Sequence, residues 1–165
     1  MTLYIVRHAT ALPRKEWNGP DSARPLVAEG ERQAAVIAQW FGSRNIDRLL
    51  TSPSHRCMAT IETLAASHDV TIEKRRELQL DHESAAIDFA RMLVDENEEI
   101  VMCSHGEIIR PIMRAFRPAT LNASPTSCAK GSVWLVTAGG RGIIGTYFRH
   151  DELVALSPDS PDGSG

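Results

Sequence analysis

Arg7 and His8 stand side by side where the apolar run LYIV, residues 3–6, ends. His55 and Arg56 follow Ser52 and Pro53 within TSPSHRCMATIETL, and Ser104, His105 and Gly106 follow the run EIVM at 99–102, which overlaps VMCSHGEIIR. Two arginines, Arg7 and Arg56, and two of these histidines, His8 and His105, suit one kind of chemistry. The guanidinium fork matches the oxygens of a phosphoryl group. A neutral imidazole is a nucleophile towards phosphorus, and a second, protonated one can donate to an oxygen that gains charge. Gly106 lets backbone approach a ligand, and a helix starting after it directs N–H groups at an anion.

These side chains meet only if the elements behind them converge. Residues 2–6 read as a buried strand, 46–51 as a second, 70–74 as a short β-rich stretch and 99–104 as another buried strand. Glu29–Phe41, a segment from Ser52 as cap through the first-turn Pro53 to about Ala66, residues 84–95, and Glu107–Phe116 have helical spacing. Residues 10–27 are broken by Pro13, Gly19, Pro20 and Pro25. Residues 117–130 read as loop, and VWLVTAGGRGIIGTYF as two strands around a glycine turn. Strand–helix repetition closing on a hairpin predicts an α/β fold, a three-layer α/β/α sandwich with a mostly parallel central sheet. In such sheets ligands sit at the carboxyl ends of the strands, where Arg7–His8, Ser52 and His105 fall.

The 165 residues suit one domain, expected over 1–150, and the SPDSPDGSG end predicts a disordered tail at 151–165. A formal net charge of −3 offers no bulk attraction to nucleic acid or an anionic membrane, and neither partner is expected. No apolar run is long enough to span a bilayer, and no signal-peptide pattern opens the chain. Cys57, Cys103 and Cys128 are odd in number and lack CxxC spacing, which reads as three reduced thiols in a cytoplasmic protein with no metal site. No oligomeric state follows from the sequence.

The stretches LYIVRHATA, TSPSHRCMATIETL and VMCSHGEIIR, in this order, resemble the three signatures of the histidine phosphatase superfamily, which includes the phosphoglycerate mutases. The chain's length and RPLVAEGERQA at 24–34 resemble its small bacterial branch, home of the phosphohistidine phosphatases. RHATALPRKEWNGPDSARPL is also similar to the phosphatase domain at the C-terminus of some actinobacterial Nudix hydrolases. The resemblance covers roughly residues 2–117, and departs from the pattern at Ala9, where most members have glycine.

By this resemblance His8 attacks phosphorus and becomes a phosphohistidine, Arg7, Arg56 and His105 hold the non-bridging oxygens, and water hydrolyses the intermediate without metal or other cofactor. His8 must then be neutral, with its other ring nitrogen donating to a backbone carbonyl. Members often place the leaving group's acid after the third strand. Here Glu77, Asp81 and Glu83 are open choices, and Asp81 is favoured because it lies farther beyond the strand. Thr10 and Ser52 are candidate phosphate contacts, each set against a structural role as turn residue or helix cap. Arg14, Lys15, Trp17, Arg24, His55 and His82 are rim candidates.

The expected function is hydrolysis of a phosphomonoester or of a protein phosphohistidine, so the partner is a phosphorylated small molecule or phosphoprotein. The rivals are a phosphoglycerate mutase-type transferase, for which no clear second anion site is legible, and a non-catalytic phosphate-binding module. A metal hydrolase using His8, His55, His82 and His105 lacks ligand-like spacing.

Overall fold

A computed structural model describes residues 2–120, 122–140 and 142–157. Strand β1 (Thr2–Arg7) leads through an irregular loop with two single 3-10 turns, Arg14–Glu16 and Asp21–Ala23, into helix α1 (Ala28–Phe41). Then come β2 (Arg48–Thr51), α2 (His55–His68), β3 (Ile72–Lys74), a 3-10 turn at Arg76–Leu78, α3 (Glu83–Asp95), β4 (Glu99–Ser104) and α4 (Gly106–Phe116). The hairpin β5 (Val133–Gly139) and β6 (Gly142–Phe148) precedes a short α5 (His150–Ala155).

The strands form one six-stranded sheet in the order β3-β2-β4-β1-β5-β6. The β3–β2, β2–β4 and β4–β1 pairings are parallel, while β5 and β6 add antiparallel to one edge. The expected three-layer α/β sandwich is the observed architecture, with a mixed sheet whose parallel part carries the strand–helix repeats.

Strand alternation builds both cores. Leu3 and Ile5 of β1, with Ile100 and Met102 of β4, face one side and meet Phe89 and Leu93 of α3 and Ile108 and Ile112 of α4. Tyr4, Val6, Val101 and Cys103 face the other, against Ile37 and Phe41 of α1 and Ile61 and Leu64 of α2. Nearly all of these side chains are fully buried, each stabilising the fold by about 1.5–3 kcal/mol before chain entropy is counted.

Two expectations need correction. Helix α2 starts at His55, not at Pro53, and Ser52 is not its cap: Ser54 takes that position, while the Ser52 hydroxyl turns to His105. The tail expected from 151 onward is helical through Ala155, because Leu153 is fully buried against the α1–α2 side and Ser157 Oγ donates to Leu153 O at 2.8 Å. Residues 158–165 of that expected tail lie outside the described residues.

Candidate active site

The order β2-β4-β1 sets three parallel carboxyl ends side by side, and register pairs Thr51 with Cys103 and Arg7 with Ser104. The residues just beyond them therefore share one depression. Arg7, His8, Arg56 and His105 line a cavity of about 350 Å³ together with Arg14, Asp21, Arg24, Leu80, Glu107 and Lys130.

His8 is 6% exposed. Its backbone N–H donates to Ser104 O at 3.0 Å, continuing the β1–β4 pairing past the last strand residue. Its Nδ1 lies 2.8 Å from Ala9 O, and a carbonyl only accepts, so Nδ1 carries the proton and Nε2 the lone pair. Burial, assisted by His105, Arg56 and Arg7, pushes the His8 pKa down to about 3 against the opposing pull of that carbonyl. At neutral pH the ring is uncharged.

The turn after His8 is held tightly. Ala9 N donates to Thr60 Oγ1 at 2.9 Å, and Thr10 N and Oγ1 both bond Gln33 Oε1, at 2.9 and 3.0 Å. A Cβ at Gly30 would come within 2.1 Å of Thr10 O, so only glycine lets α1 approach this turn. The Thr10 hydroxyl is thus committed to Gln33, and Thr10 is not among the cavity-lining residues.

His105, 1% exposed, sits with its ring centroid 5.4 Å from that of His8. Arg56 Nη2 lies 3.2 Å from His105 Nδ1, and because arginine only donates, Nδ1 accepts. His105 Nε2–H then donates to Ser52 Oγ at 3.0 Å. Ser52 therefore orients His105 and is absent from the cavity wall. Cys57 Sγ is 3.7 Å from the same Nε2. Burial alone would raise the Cys57 thiol, but Cys103, His105 and Arg56 outweigh it and lower its pKa, while burial raises that of Cys103.

Arg56 is 2% exposed and spends Nη1 on Asp21 O at 2.8 Å and Nη2 on Asp21 Oδ2 at 3.0 Å. Arg7 donates through Nη1 to Cys128 O. The Nε atoms of both arginines are buried without a protein partner. Gly106 is buried behind them: a Cβ there would stand about 3 Å from the guanidinium groups of Arg7 and Arg110. It makes room for Arg7 and opens α4, whose first turn brings Glu107 to the wall.

The structure does not bring the sequence's acid candidates to the cavity. Glu77 faces Arg75, 3.9 Å away, and Asp81 is exposed in the left-handed region at φ 65°. Glu83 is exposed on the first turn of α3. The cavity carboxylates are Asp21 and Glu107 instead. Burial disfavours ionised Asp21, but Arg56 and Arg24 more than compensate and lower its pKa. Sequence reasoning missed Asp21, Glu107 and Lys130. Of these, Glu107 had a signal, since it is two residues from His105 and a helix N-terminus points its first turn at the sheet edge. Of the rim candidates, Arg14 and Arg24 line the cavity, whereas Lys15, Trp17, His55 and His82 do not. Trp17 Nε1 donates to Pro20 O at 2.9 Å, within its own loop.

Among the described residues, no three His, Cys, Asp or Glu side chains cluster to hold a metal ion, and no helix is long and apolar enough to cross a membrane.

The molecule is an α/β protein whose mixed sheet sets an arginine-lined pocket around two buried histidines, a donor set whose geometry matches phosphoryl oxygens. Residues 3–79 match the model of the histidine phosphatase superfamily (branch 1). An 8-oxo-(d)GTP phosphatase of Mycolicibacterium smegmatis is 27% identical over 152 residues, covering 89% of this chain and 47% of the relative. The chain thus spans about half the length of the curated relative it matches. Among solved structures, Bacillus stearothermophilus YhfR superposes with a TM-score of 0.73 at 18% identity, covering 90% of this chain and 98% of that one. The protein histidine phosphatase SixA, complexed with tungstate, gives 0.68 at 22% identity, with 90% and 95% covered. The phosphoserine phosphatase of Entamoeba histolytica gives 0.70 at 18% identity, with 92% and 98% covered. These likenesses speak to the fold.

Proposed function

We propose that this protein is a phosphatase that hydrolyses a phosphorylated substrate through a covalent phosphohistidine on His8. The observation that carries the reading is the His8 ring: neutral, with Nδ1–H tied to Ala9 O, and set among Arg7, Arg56 and His105 in one cavity. Nε2 attacks phosphorus, and the bond from phosphorus to the leaving oxygen breaks. The guanidinium groups of Arg7 and Arg56, which line the cavity, meet the charge that spreads over the non-bridging oxygens. Water then attacks phosphorus and Nε2 departs, restoring the free ring and releasing orthophosphate.

Glu107 takes the part of proton donor to the leaving oxygen, since Asp21 is held ionised by arginines. The relatives named as acting on protein phosphohistidine, phosphoserine and an oxidised guanine nucleotide share a phosphorylated substrate, and that class carries over to this chain.

Hydrolysis of an aryl phosphate in chelator, by wild type and by His8→Ala, tests the reading. Turnover in the wild type that falls at least about 10³-fold in the variant, with a ³²P label recovered on His8, is the expected result. Turnover that survives His8→Ala removes His8 as the nucleophile.

A further inference from the structure

We infer that the cavity takes a phosphoanhydride, a substrate whose leaving group bears a second phosphoryl group, and that Lys130 with Arg14 and Arg24 seats that second group. The inference rests on the phosphatase reading above and names its substrate class.

Five cationic and two anionic side chains line the cavity. They are layered by depth. His8, His105 and Arg56 are almost wholly buried and form the floor, where the transferred phosphoryl group belongs. Arg14 and Lys130 are exposed and stand at the mouth, with Arg24 between the layers. Charge at the mouth faces the leaving group, not the phosphorus under attack.

Lys130 is the residue that the floor does not explain. Asp21 is shared by Arg56, Arg24 and Arg14, at 3.0, 3.0 and 3.6 Å. Among the described residues, no carboxylate pairs with Lys130. Burial, then Arg7 and Arg24, lowers its pKa, so its charged neighbours are cations. Its segment is built, not loose. Ala129 N donates to Tyr147 Oη at 2.7 Å, Gly131 N to Arg7 O at 3.2 Å, and Trp134 Nε1 to Ser127 O at 2.8 Å. Arg7 Nη1 bonds Cys128 O. Backbone and side-chain bonds on both flanks thus hold a lysine beside two arginines, an arrangement that an anion between them would relieve.

The chemistry balances. His8 Nε2 attacks the terminal phosphorus, and the anhydride P–O bond breaks. Its electron pair stays on the former bridging oxygen, now a terminal oxygen of the shortened phosphate chain. Lys130 and Arg14 meet that charge. Such a leaving group needs little protonation.

Calorimetric titration with inorganic orthophosphate and pyrophosphate reads this directly, whether or not turnover occurs. Pyrophosphate is expected to bind wild type at least tenfold more tightly. Lys130→Ala is expected to weaken pyrophosphate at least fivefold more than orthophosphate, and Lys130→Arg to restore most of the difference. Equal affinities in wild type, or a Lys130→Ala loss shared equally by both anions, overturns the inference. His8-dependent aryl phosphate turnover with no cleavage of pyrophosphate or of a nucleoside diphosphate overturns it too, while leaving the phosphatase reading in place.

Discussion

Arg56 Nη2 and Asp21 Oδ2 stand 3.0 Å apart, an ion pair between a guanidinium that is 2% exposed and a carboxylate that is 35% exposed. On the proposed function, Asp21 takes up Arg56 donors for which a bound phosphoryl group would compete. The free site therefore holds its own anion, lent by a single 3-10 turn on the loop after β1.

Removing that charge should tighten anion binding. One carboxylate a few ångströms from a bound dianion, half-screened by water, is worth about 1 kcal/mol or slightly more. For Asp21→Asn, the competitive inhibition constant of orthophosphate is expected to fall about five- to tenfold. A rise instead would mean that Asp21 serves to hold Arg56 in position.

Glu107 as proton donor predicts a dependence on the leaving group. Glu107→Gln should lower kcat for a simple alkyl phosphate about 10²-fold, and for a nitrophenyl phosphate by no more than about threefold. The reason is that a stabilised phenolate leaves without a proton, while an alkoxide does not. Equal losses on the two substrates, or none on either, would exclude the role.

The depressed pKa of His8 links stability to pH. Its folded value of about 3 lies below the ordinary 6.5, so between these limits the unfolded chain binds more protons. Stability from this residue is intact above pH 6.5 and falls as pH drops towards 3. Between pH 7 and pH 4 the loss amounts to about 3 kcal/mol. His8→Asn removes the titration, so urea unfolding of the variant should show an acid loss smaller by about that amount. Identical losses in variant and wild type would show that His8 does not titrate as its burial implies.

Much of the site was legible because it is local. Arg7–His8 and His105 lie where an apolar run stops, Arg56 opens the helix that follows the next strand, and a buried run followed by a charged pair has few structural meanings. Even the proton on His8 Nδ1 follows from a carbonyl one residue away. The proton donor was not legible: the stretch 75–84 offers several carboxylates, and only the path of the chain after β3 shows that Asp81 and Glu77 miss the cavity. Ser52 fits a cap by its neighbours in sequence, yet its hydroxyl answers to His105, 53 residues away.

The sequence by itself determined most of the elements and singled out Arg7, His8, Arg56 and His105, because alternation, helical spacing and turn residues act over a few positions. Tertiary structure alone decided that β2, β4 and β1 lie side by side in parallel, that α5 docks through Leu153, and that Asp21, Glu107 and Lys130 share a wall with His8. The bond from Arg7 to Cys128, which helps place Lys130, closes a separation of 121 residues. No short-range pattern encodes such a contact: it exists only once burial of both sheet faces has set the strand order.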